Sequence, residues 1–198
     1  MKIVVGLALI IVCSAQVPTP CQSPKQWVAR RIKMDRYKQY FEIAEHSYDE
    51  LNRRAASREE RDVGKERDYY LRIHLYNEGL DYMFNLRTMS CNVTRLTRPF
   101  RVVGVPLDSK FLFEGEYGAA GIPAEHFDAA TFGGKFEDGA EYLVTVAEPD
   151  CIPIQFDVRS NTTTEHFHEA YYDLKLGIPD PTVFIPPKEC MMVPIPPK

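Results

Sequence analysis

Alternation of apolar and polar residues is the strongest pattern along the chain. Between residues 69 and 87, Leu71, Ile73 and Leu75 alternate with polar side chains, a turn follows at residues 77–79, and a second alternating run returns. This period of two is typical of a β-hairpin with one apolar face. Further strands are predicted at 27–34, 39–46, 111–113, 141–147, 152–159 and 166–176. So many short strands, separated by Gly and Pro, predict an all-β antiparallel sandwich or open barrel.

Two segments depart from this alternation. Residues 57–67 begin with the form of a helix capping box, but Val63 is the single aliphatic residue, so a helix would have no apolar face to bury. We predict a solvated, charged connection between strands there. The proline-rich tail from residue 186 is expected to run extended over the surface. No linker or repeat interrupts the chain, which favours a single domain over residues 16–198.

The first 15 residues have the features of a secretory signal peptide. Lys2 supplies the basic start, residues 3–12 form an apolar run, and Ala15 offers a small residue for cleavage. The apolar run is too short for a membrane span, which needs about 20 residues. A buried first strand is the alternative interpretation. A signal peptide over residues 1–15 predicts a secreted or lumenal protein.

The cysteine count fits an oxidising compartment. Cleavage removes Cys13 and leaves Cys21, Cys91, Cys151 and Cys190. An even number predicts two disulfides, and the sequence leaves three connectivities open. None of these cysteines has the C-x-x-C spacing of a redox or zinc site, so metal ligation is a weak alternative.

Charge and glycosylation motifs add to this picture. The net charge of −4 becomes −5 when Lys2 is removed, and the chain lacks the basic surface that a nucleic-acid-binding protein needs. Asn92 and Asn161 each begin an N-x-T tripeptide, which predicts N-glycosylation in a secreted protein.

The sequence contains no recognisable catalytic motif. A nucleophile elbow, a zinc-binding H-E-x-x-H helix, a P-loop and an EF-hand loop are all missing, which favours a protein that is not an enzyme. His166 and His168 share one face of a predicted strand, but no third metal ligand is identifiable. We expect an exposed pair that gains charge below about pH 6.5. Binding to an anionic membrane surface should then strengthen on acidification.

Four blocks of sequence carry a resemblance to the ependymin-related proteins. They are Pro20-Cys21-Gln22 with Pro24 and Gln26-Trp27; Tyr48-Asp49 with Leu51-Asn52 and Arg54; Asp150-Cys151 with Pro153 and Gln155; and Leu176-Gly177-Ile178 with Asp180-Pro181, Val183-Phe184, Pro186-Pro187 and Cys190. The blocks stand in the order of that family and span nearly the whole mature chain.

The resemblance implies a fold and a set of roles. Ependymin-related proteins are secreted or lysosomal glycoproteins with two stacked antiparallel sheets around a hydrophobic pocket, similar to bacterial lipoprotein carriers. Homodimers, lipid binding, calcium association and cell–matrix adhesion are attributed to them. Vertebrate members have two further cysteines that pair with each other, and this chain lacks both. The bridges that the resemblance implies are Cys21–Cys151 and Cys91–Cys190.

We therefore expect non-catalytic binding of a lipid or another hydrophobic or amphipathic molecule in a pocket between two sheets, with no required cofactor. The apolar strand faces supply the candidate lining residues Leu71, Ile73, Leu75, Phe84, Phe111, Phe113, Val144, Val146, Ile154 and Phe156. The same alternation also fits a filled core. One alternative is a calcium-associated adhesion or structural protein in which exposed acids such as Glu59 and Glu60 collect Ca²⁺. A hydrolase acting inside the pocket is the other.

Overall fold

A computed structural model describes residues 17–97, 99–137, 139–160 and 166–195. The strands are β1 Gln26–Asp35, β2 Tyr40–Asp49, β3 Arg54–Val63, β4 Glu66–Leu75, β5 Leu80–Asn85, β6 Ser90–Arg95, β7 Lys110–Gly118, β8 His126–Lys135, β9 Glu141–Ala147, β10 Ile152–Arg159 and β11 His166–Leu176. A 3-10 helix, Pro181–Phe184, and the one-turn helix α1, Lys188–Met191, follow. In the described part of the chain, no helix is long and apolar enough to cross a membrane. The predicted signal peptide and Asn161 lie outside the described residues.

All eleven strands join one antiparallel sheet in the order β6-β5-β4-β3-β2-β1-β11-β10-β9-β8-β7. Strands β1 to β6 form one meander and β7 to β11 form another, and the two meet where β1 pairs with β11. The predicted all-β antiparallel fold is confirmed, with the two meanders of one open sheet in place of two separate sheets. Strands of both meanders line the same cavity, so the sheet is curved.

The predicted hairpin over residues 69–87 is formed by β4 and β5. Leu71 lies opposite Phe84 and Ile73 lies opposite Tyr82 in their register. Gly79 closes the turn with a φ of +67°, a conformation that glycine adopts without a steric penalty. The strands predicted at 141–147, 152–159 and 166–176 have the bounds of β9, β10 and β11.

The prediction of a solvated connection over residues 57–67 is wrong. Most of this segment belongs to β3, which pairs with β2 and β4 along its whole length. Ser57 and Glu59 are buried, Glu59 with only 2% of its surface exposed. The buried residues of this segment are polar and have polar or charged partners, because His46 bonds to Ser57 and both Arg31 and Arg61 pair with Glu59. A strand can therefore bury one face without the apolar alternation on which the prediction relied.

Apolar side chains pack on the sheet in separate clusters. The largest cluster belongs to the second meander and includes Phe132, Val144 and Val146, all almost fully buried. A smaller one forms where Phe184 of the 3-10 helix covers Ile73 of β4. The segment after β11 thus serves as the cover for the apolar face of the β4–β5 hairpin.

Two disulfides attach both ends of the described part of the chain to the sheet region. Cys21 is bonded to Cys151 and Cys91 to Cys190, across 130 and 99 residues of sequence. These are the pairs that the family resemblance implies. Because Cys190 lies in α1, the second bridge attaches the C-terminal segment to edge strand β6. The tail was expected to be extended, and this short helix departs from that expectation.

The connection between β6 and β7, residues 96–109, crosses the molecule. These strands lie at opposite edges of the sheet, so the chain must pass from one edge to the other. The N–H of Val105 donates to the carbonyl of Cys21 at 2.9 Å, and Gly104 bridges to Gln22. Gly104 has a φ of +146°, and a Cβ there would lie 3.0 Å from the backbone nitrogen of Ser23. A glycine is therefore required where the connection is anchored.

Candidate functional site

A cavity of about 740 Å³ lies between the curved sheet and the crossing connection. This volume is within the range of small-molecule sites. One wall is apolar and aromatic, with Phe136, Val144, Pro153, Phe156 and Phe167 from the second meander. The facing wall, from β1 to β5 and β11, is rich in ionisable side chains. We refer to these as the aromatic wall and the ionic wall.

Aromatic rings attach the crossing connection to the sheet. The buried Trp27 ring stacks on Tyr48 at 5.1 Å between centroids and meets Tyr171 edge-on at 5.3 Å. Phe100 of the connection stacks on the other side of Tyr48, at 5.7 Å. The N–H of Val103 donates to the Tyr48 hydroxyl at 3.0 Å. Burial raises the pKa of Tyr48 above its ordinary value.

The centre of the ionic wall is a chain of ion pairs. The Nη2 atom of Arg31 lies 2.5 Å from Oε1 of Glu42 and 3.9 Å from Oε1 of Glu59. Arg61 pairs with the other oxygen of Glu59, and the Tyr40 hydroxyl donates to Glu42. The two carboxylates and the two guanidinium groups therefore alternate through the buried wall.

The two glutamates in this chain have opposite pKa shifts. Burial alone would raise the pKa of Glu42, but Arg31 and the Tyr40 hydroxyl reverse that effect and hold it below the usual value. Burial raises the pKa of Glu59, and the neighbouring Glu42 carboxylate raises it further, against the pull of Arg61 and Arg31. Of the two carboxyl groups in this series of ion pairs, Glu59 is thus the first to take up a proton as the pH falls.

A second ion pair connects the ionic and aromatic walls. Lys33 Nζ lies 2.8 Å from Glu169 Oε1, and the Tyr171 hydroxyl donates to the same carboxylate at 2.7 Å. Burial would raise the pKa of Glu169, but Lys33 and Arg31 hold it far below the usual range. The Lys33 ammonium also sits 4.0 Å above the Phe167 ring. The cation therefore contacts both walls.

The outer end of the ionic wall is formed by β4 and β5. Arg72 makes a bidentate pair with Asp81 at 3.1 and 2.7 Å, and His74 Nε2 lies 3.3 Å from the same carboxylate. Burial would raise the pKa of Asp81, but hydrogen bonds from His74 and Arg72 hold it well below its usual value. Deeper in the cavity, burial and the charge of Arg31 lower the pKa of His46. That imidazole is neutral and bonds to Ser57 at 3.1 Å.

The two arginines at the centre of the ionic wall, Arg31 and Arg61, each keep one hydrogen-bond donor without an acceptor among the described residues. The Nε atoms of Arg31 and Arg61 are buried and have no hydrogen-bond acceptor among the residues that the structure describes. A buried donor without an acceptor costs about 1–3 kcal/mol. These two N–H groups are therefore unsatisfied donors, and they belong to side chains that line the cavity.

The candidates from the β4–β5 hairpin lie outside this cavity. Leu71, Ile73 and Leu75 occupy the opposite face of β4, and Ile73 and Phe84 are buried there. Their alternation identified an apolar face, but the C-terminal segment with Phe184 covers that face. The polar residues between them, Arg72 and His74, line the cavity instead. Leu75 lines a separate groove of about 440 Å³ beside Phe184.

Only some of the candidate lining residues from the second meander line the cavity. Val144 and Phe156 line the cavity, on the aromatic wall. Phe113, after a bulge in β7, is 66% exposed and contributes to neither core nor cavity. Three further candidates are buried or half-buried but do not line the cavity: Phe111, Val146 and Ile154.

Apart from Glu59, which was considered as an exposed calcium ligand, the sequence predictions contained none of the charged residues of the ionic wall. The sequence pattern that could have identified these residues is a charged side chain at every second position. Arg31, Lys33 and Asp35 have this spacing in β1, and Glu59 and Arg61 have it in β3. A search for apolar alternation passes over such strands.

The histidine pair and Asn92, the predicted glycosylation residue that the structure describes, lie elsewhere. His166 and His168 line a second depression of about 1230 Å³. His168 Nδ1 lies 2.8 Å from Asp157 Oδ1, and the His166 ring contacts Tyr37 at 4.7 Å between centroids. Asn92 is exposed on edge strand β6.

The acidic pair considered for calcium is not an exposed cluster. Glu59 is buried against Arg61, and Glu60 Oε1 lies 3.0 Å from Arg67 Nη1. Across residues 17–97, 99–137, 139–160 and 166–195, no group of three or more His, Cys, Asp or Glu side chains has a metal-binding arrangement.

Comparison with known proteins places this architecture in a family. The ependymin family model matches residues 64–190. Mammalian ependymin-related protein 1 of Rattus norvegicus is 28% identical over 196 residues, 93% of this chain and 85% of the relative. The Mus musculus protein of that name is 28% identical over 182 residues, 89% of this chain and 79% of the relative. An uncharacterized conserved protein from Thermus thermophilus shares the fold, with a TM-score of 0.53 at 11% identity over 84% of this chain and 88% of that one. This chain belongs to the ependymin family.

Proposed function

We propose that this protein is a secreted, non-catalytic binding protein that holds an amphipathic ligand, such as a lipid, in the cavity of the curved sheet. Membership of the ependymin family and the two disulfides support a secreted protein. The observation that carries the proposal is the pairing of an aromatic wall with an ionic wall around one cavity.

Each wall favours a different part of such a ligand. An apolar chain against Phe136, Val144 and Phe156 removes apolar surface from water, at about 25 cal/mol per Å². A wholly apolar ligand would also desolvate the groups of the ionic wall, including Lys33 and Arg72, without offering them a partner, and this costs free energy. An amphipathic molecule satisfies both walls.

Further properties belong to the same proposal. A lysosomal location, a homodimer and an associated calcium ion accompany it as features of the family resemblance. Glycans on Asn92 and Asn161 accompany it because of their N-x-T tripeptides. Neither mammalian relative has a name that assigns an enzymatic activity. Among the described residues, no group of side chains supports calcium-associated adhesion as the cavity supports ligand binding. We therefore favour ligand binding as the function.

The proposal is tested by blocking the cavity from its mouth. Val102 lines the cavity and is 53% exposed, whereas Leu107, in the same connection, is 83% exposed and outside the lining. Native mass spectrometry of the secreted protein should detect a copurified amphiphile, or a 1:1 complex with added 1-lauroylglycerol. Val102→Trp should lower the occupancy several-fold, and Leu107→Trp should leave it unchanged. Equal occupancy in both variants, or no complex with the wild type, would contradict the proposal.

A further inference from the structure

We propose that the cavity selects single-chain amphiphiles that end in an oxyanion, a carboxylate or a phosphate, and that Arg31 and Arg61 are the specificity-determining residues that hold this head group. This inference rests on the proposed function and names the class of its ligand. Three observations carry it: the charge of the lining, the two unsatisfied guanidinium donors and the position of the aromatic wall.

The lining has the opposite charge to the chain. The whole sequence has a net charge of −4, but seven cationic and five carboxylate side chains line the cavity. The cations are Arg31, Lys33, Lys38, Arg61, Arg72, Arg95 and Arg101, and the carboxylates are Asp35, Glu42, Glu59, Asp81 and Glu169. A concave site of positive charge in an acidic protein favours anionic ligands over neutral or cationic ones.

The guanidinium groups of Arg31 and Arg61 stand on either side of Glu59. Each keeps one buried N–H without an acceptor among the described residues. Burial and the Glu42 carboxylate raise the pKa of Glu59. When Glu59 is protonated, Arg61 loses its carboxylate partner, whereas Arg31 keeps Glu42. An oxyanion restores the balance and accepts charge-assisted hydrogen bonds, which are stronger than neutral ones.

The aromatic rings around Arg61 and Lys33 direct the remainder of the ligand. The Arg61 guanidinium lies over the Tyr70 ring at 4.6 Å, which fixes its plane in the wall. Lys33 lies over Phe167, a ring of the aromatic wall. A chain attached to a head group at the ionic wall therefore leads directly onto Phe167 and Phe156. This arrangement suits one apolar chain with one charged end.

The experiment compares an acid with its neutral ester. The probes are 11-(dansylamino)undecanoic acid and its methyl ester, detected by energy transfer from Trp27, the single tryptophan of the chain. Trp27 contacts Tyr48 and Tyr171, which line the cavity. The acid should bind at least tenfold more tightly than the ester. Equal affinities would overturn the selectivity, and no binding of either probe would overturn the proposed function itself.

Variants with opposite expected effects assign the residues. Arg61→Gln should remove most of the acid's advantage, whereas Arg61→Lys, which keeps the charge, should retain part of it. Glu59→Gln should strengthen binding of the acid several-fold and leave the ester unchanged, a gain that misfolding does not produce. Arg58→Gln, on the exposed face of the same strand, is the matched charge control and should change neither affinity. A parallel loss of both probes in Arg61→Gln, with no gain in Glu59→Gln, would overturn the assignment.

Competition separates the sources of the oxyanion. Dodecanoate, dodecyl phosphate and inorganic phosphate are added to the complex with the dansyl acid. Displacement by dodecanoate or by dodecyl phosphate at micromolar concentration identifies the favoured head group. Displacement by inorganic phosphate at the same concentration would overturn the inference, because the aromatic wall would then contribute nothing.

Discussion

The two meanders of the sheet bury their cavity-side faces by different means. In the second meander, Phe132, Val144 and Phe156 lie beside one another on neighbouring strands and form part of a continuous apolar cluster. In the first, Arg31 and Glu42 occupy equivalent buried positions and are held by ion pairs. Both halves use the same antiparallel pairing. The side chains of the inner face, not the strand geometry, decide whether a curved sheet closes on a core or leaves a cavity.

This difference has an energetic counterpart. Apolar contacts are non-directional, and a lost side chain leaves a void whose cost grows with its volume. A buried ion pair depends on both partners, because the loss of one leaves an uncompensated charge. The apolar half should therefore respond to changes of volume, and the ionic half to changes of charge and pH.

The largest effect is expected from truncation in the apolar half. Phe132 is fully buried, and Phe132→Ala should lower the free energy of unfolding by about 3–5 kcal/mol. Phe113→Ala, in adjacent β7, removes an exposed ring and should change it by less than about 0.5 kcal/mol. Urea unfolding at pH 7 measures both. A similar loss in the two variants would contradict the assignment of the core to β8–β10.

The ionic half should distinguish its two glutamates. Glu42→Gln leaves the buried Arg31 without its carboxylate and should cost about 3 kcal/mol at pH 7. Burial and the Glu42 carboxylate raise the pKa of Glu59, so its ionised form is less favourable in the folded protein than that of Glu42, and Glu59→Gln replaces it with a neutral group of similar shape. Its cost should stay below about 1 kcal/mol. Equal costs in denaturant titrations would show that the two carboxyls are equally ionised in the folded protein.

The smallest effect concerns the dependence of stability on pH. Because Lys33 and Arg31 lower the pKa of the buried Glu169 carboxyl, its contribution is complete above the unfolded glutamate value, about 4.3. It is lost as the pH falls below that value. Glu169→Gln should make the acid limb of the stability profile shallower by up to about 1.4 kcal/mol per pH unit. Phe113→Ala should keep the wild-type slope. An unchanged slope in Glu169→Gln would mean that this carboxyl does not titrate in that window.

The positions of the strands were largely predictable from the sequence, whereas the element that covers each strand face was not. Alternation in residues 69–87 identified the hairpin, because a period of two follows from strand geometry. It did not reveal that Ile73 faces a segment more than a hundred residues later in the sequence, around Phe184. A strand has two faces, and the sequence of the strand alone does not say which element covers each of them.

The ionic wall was missed for a related physical reason. The prediction for residues 57–67 treated burial as a property of apolar residues, whereas Glu59 is buried because Arg31 and Arg61 reach it from β1 and from its own strand. Such compensation depends on which side chains of other strands meet on one face, and the sequence of one strand does not show this. The cysteine spacing was equally silent on pairing, and the bridges of the structure were expected from the family resemblance alone.

The two disulfides also give the chain an interlocked covalent topology. Any single cut between residues 91 and 151 separates Cys21 and Cys91 from Cys151 and Cys190, so both bridges join the two fragments. Every residue of the turn at 120–125 is exposed, and the turn lies within that interval. A protease that nicks this turn therefore produces a molecule of unchanged mobility on a non-reducing gel, which separates into two bands only after reduction. In a protease-rich compartment, such a nicked molecule would keep its fragments together.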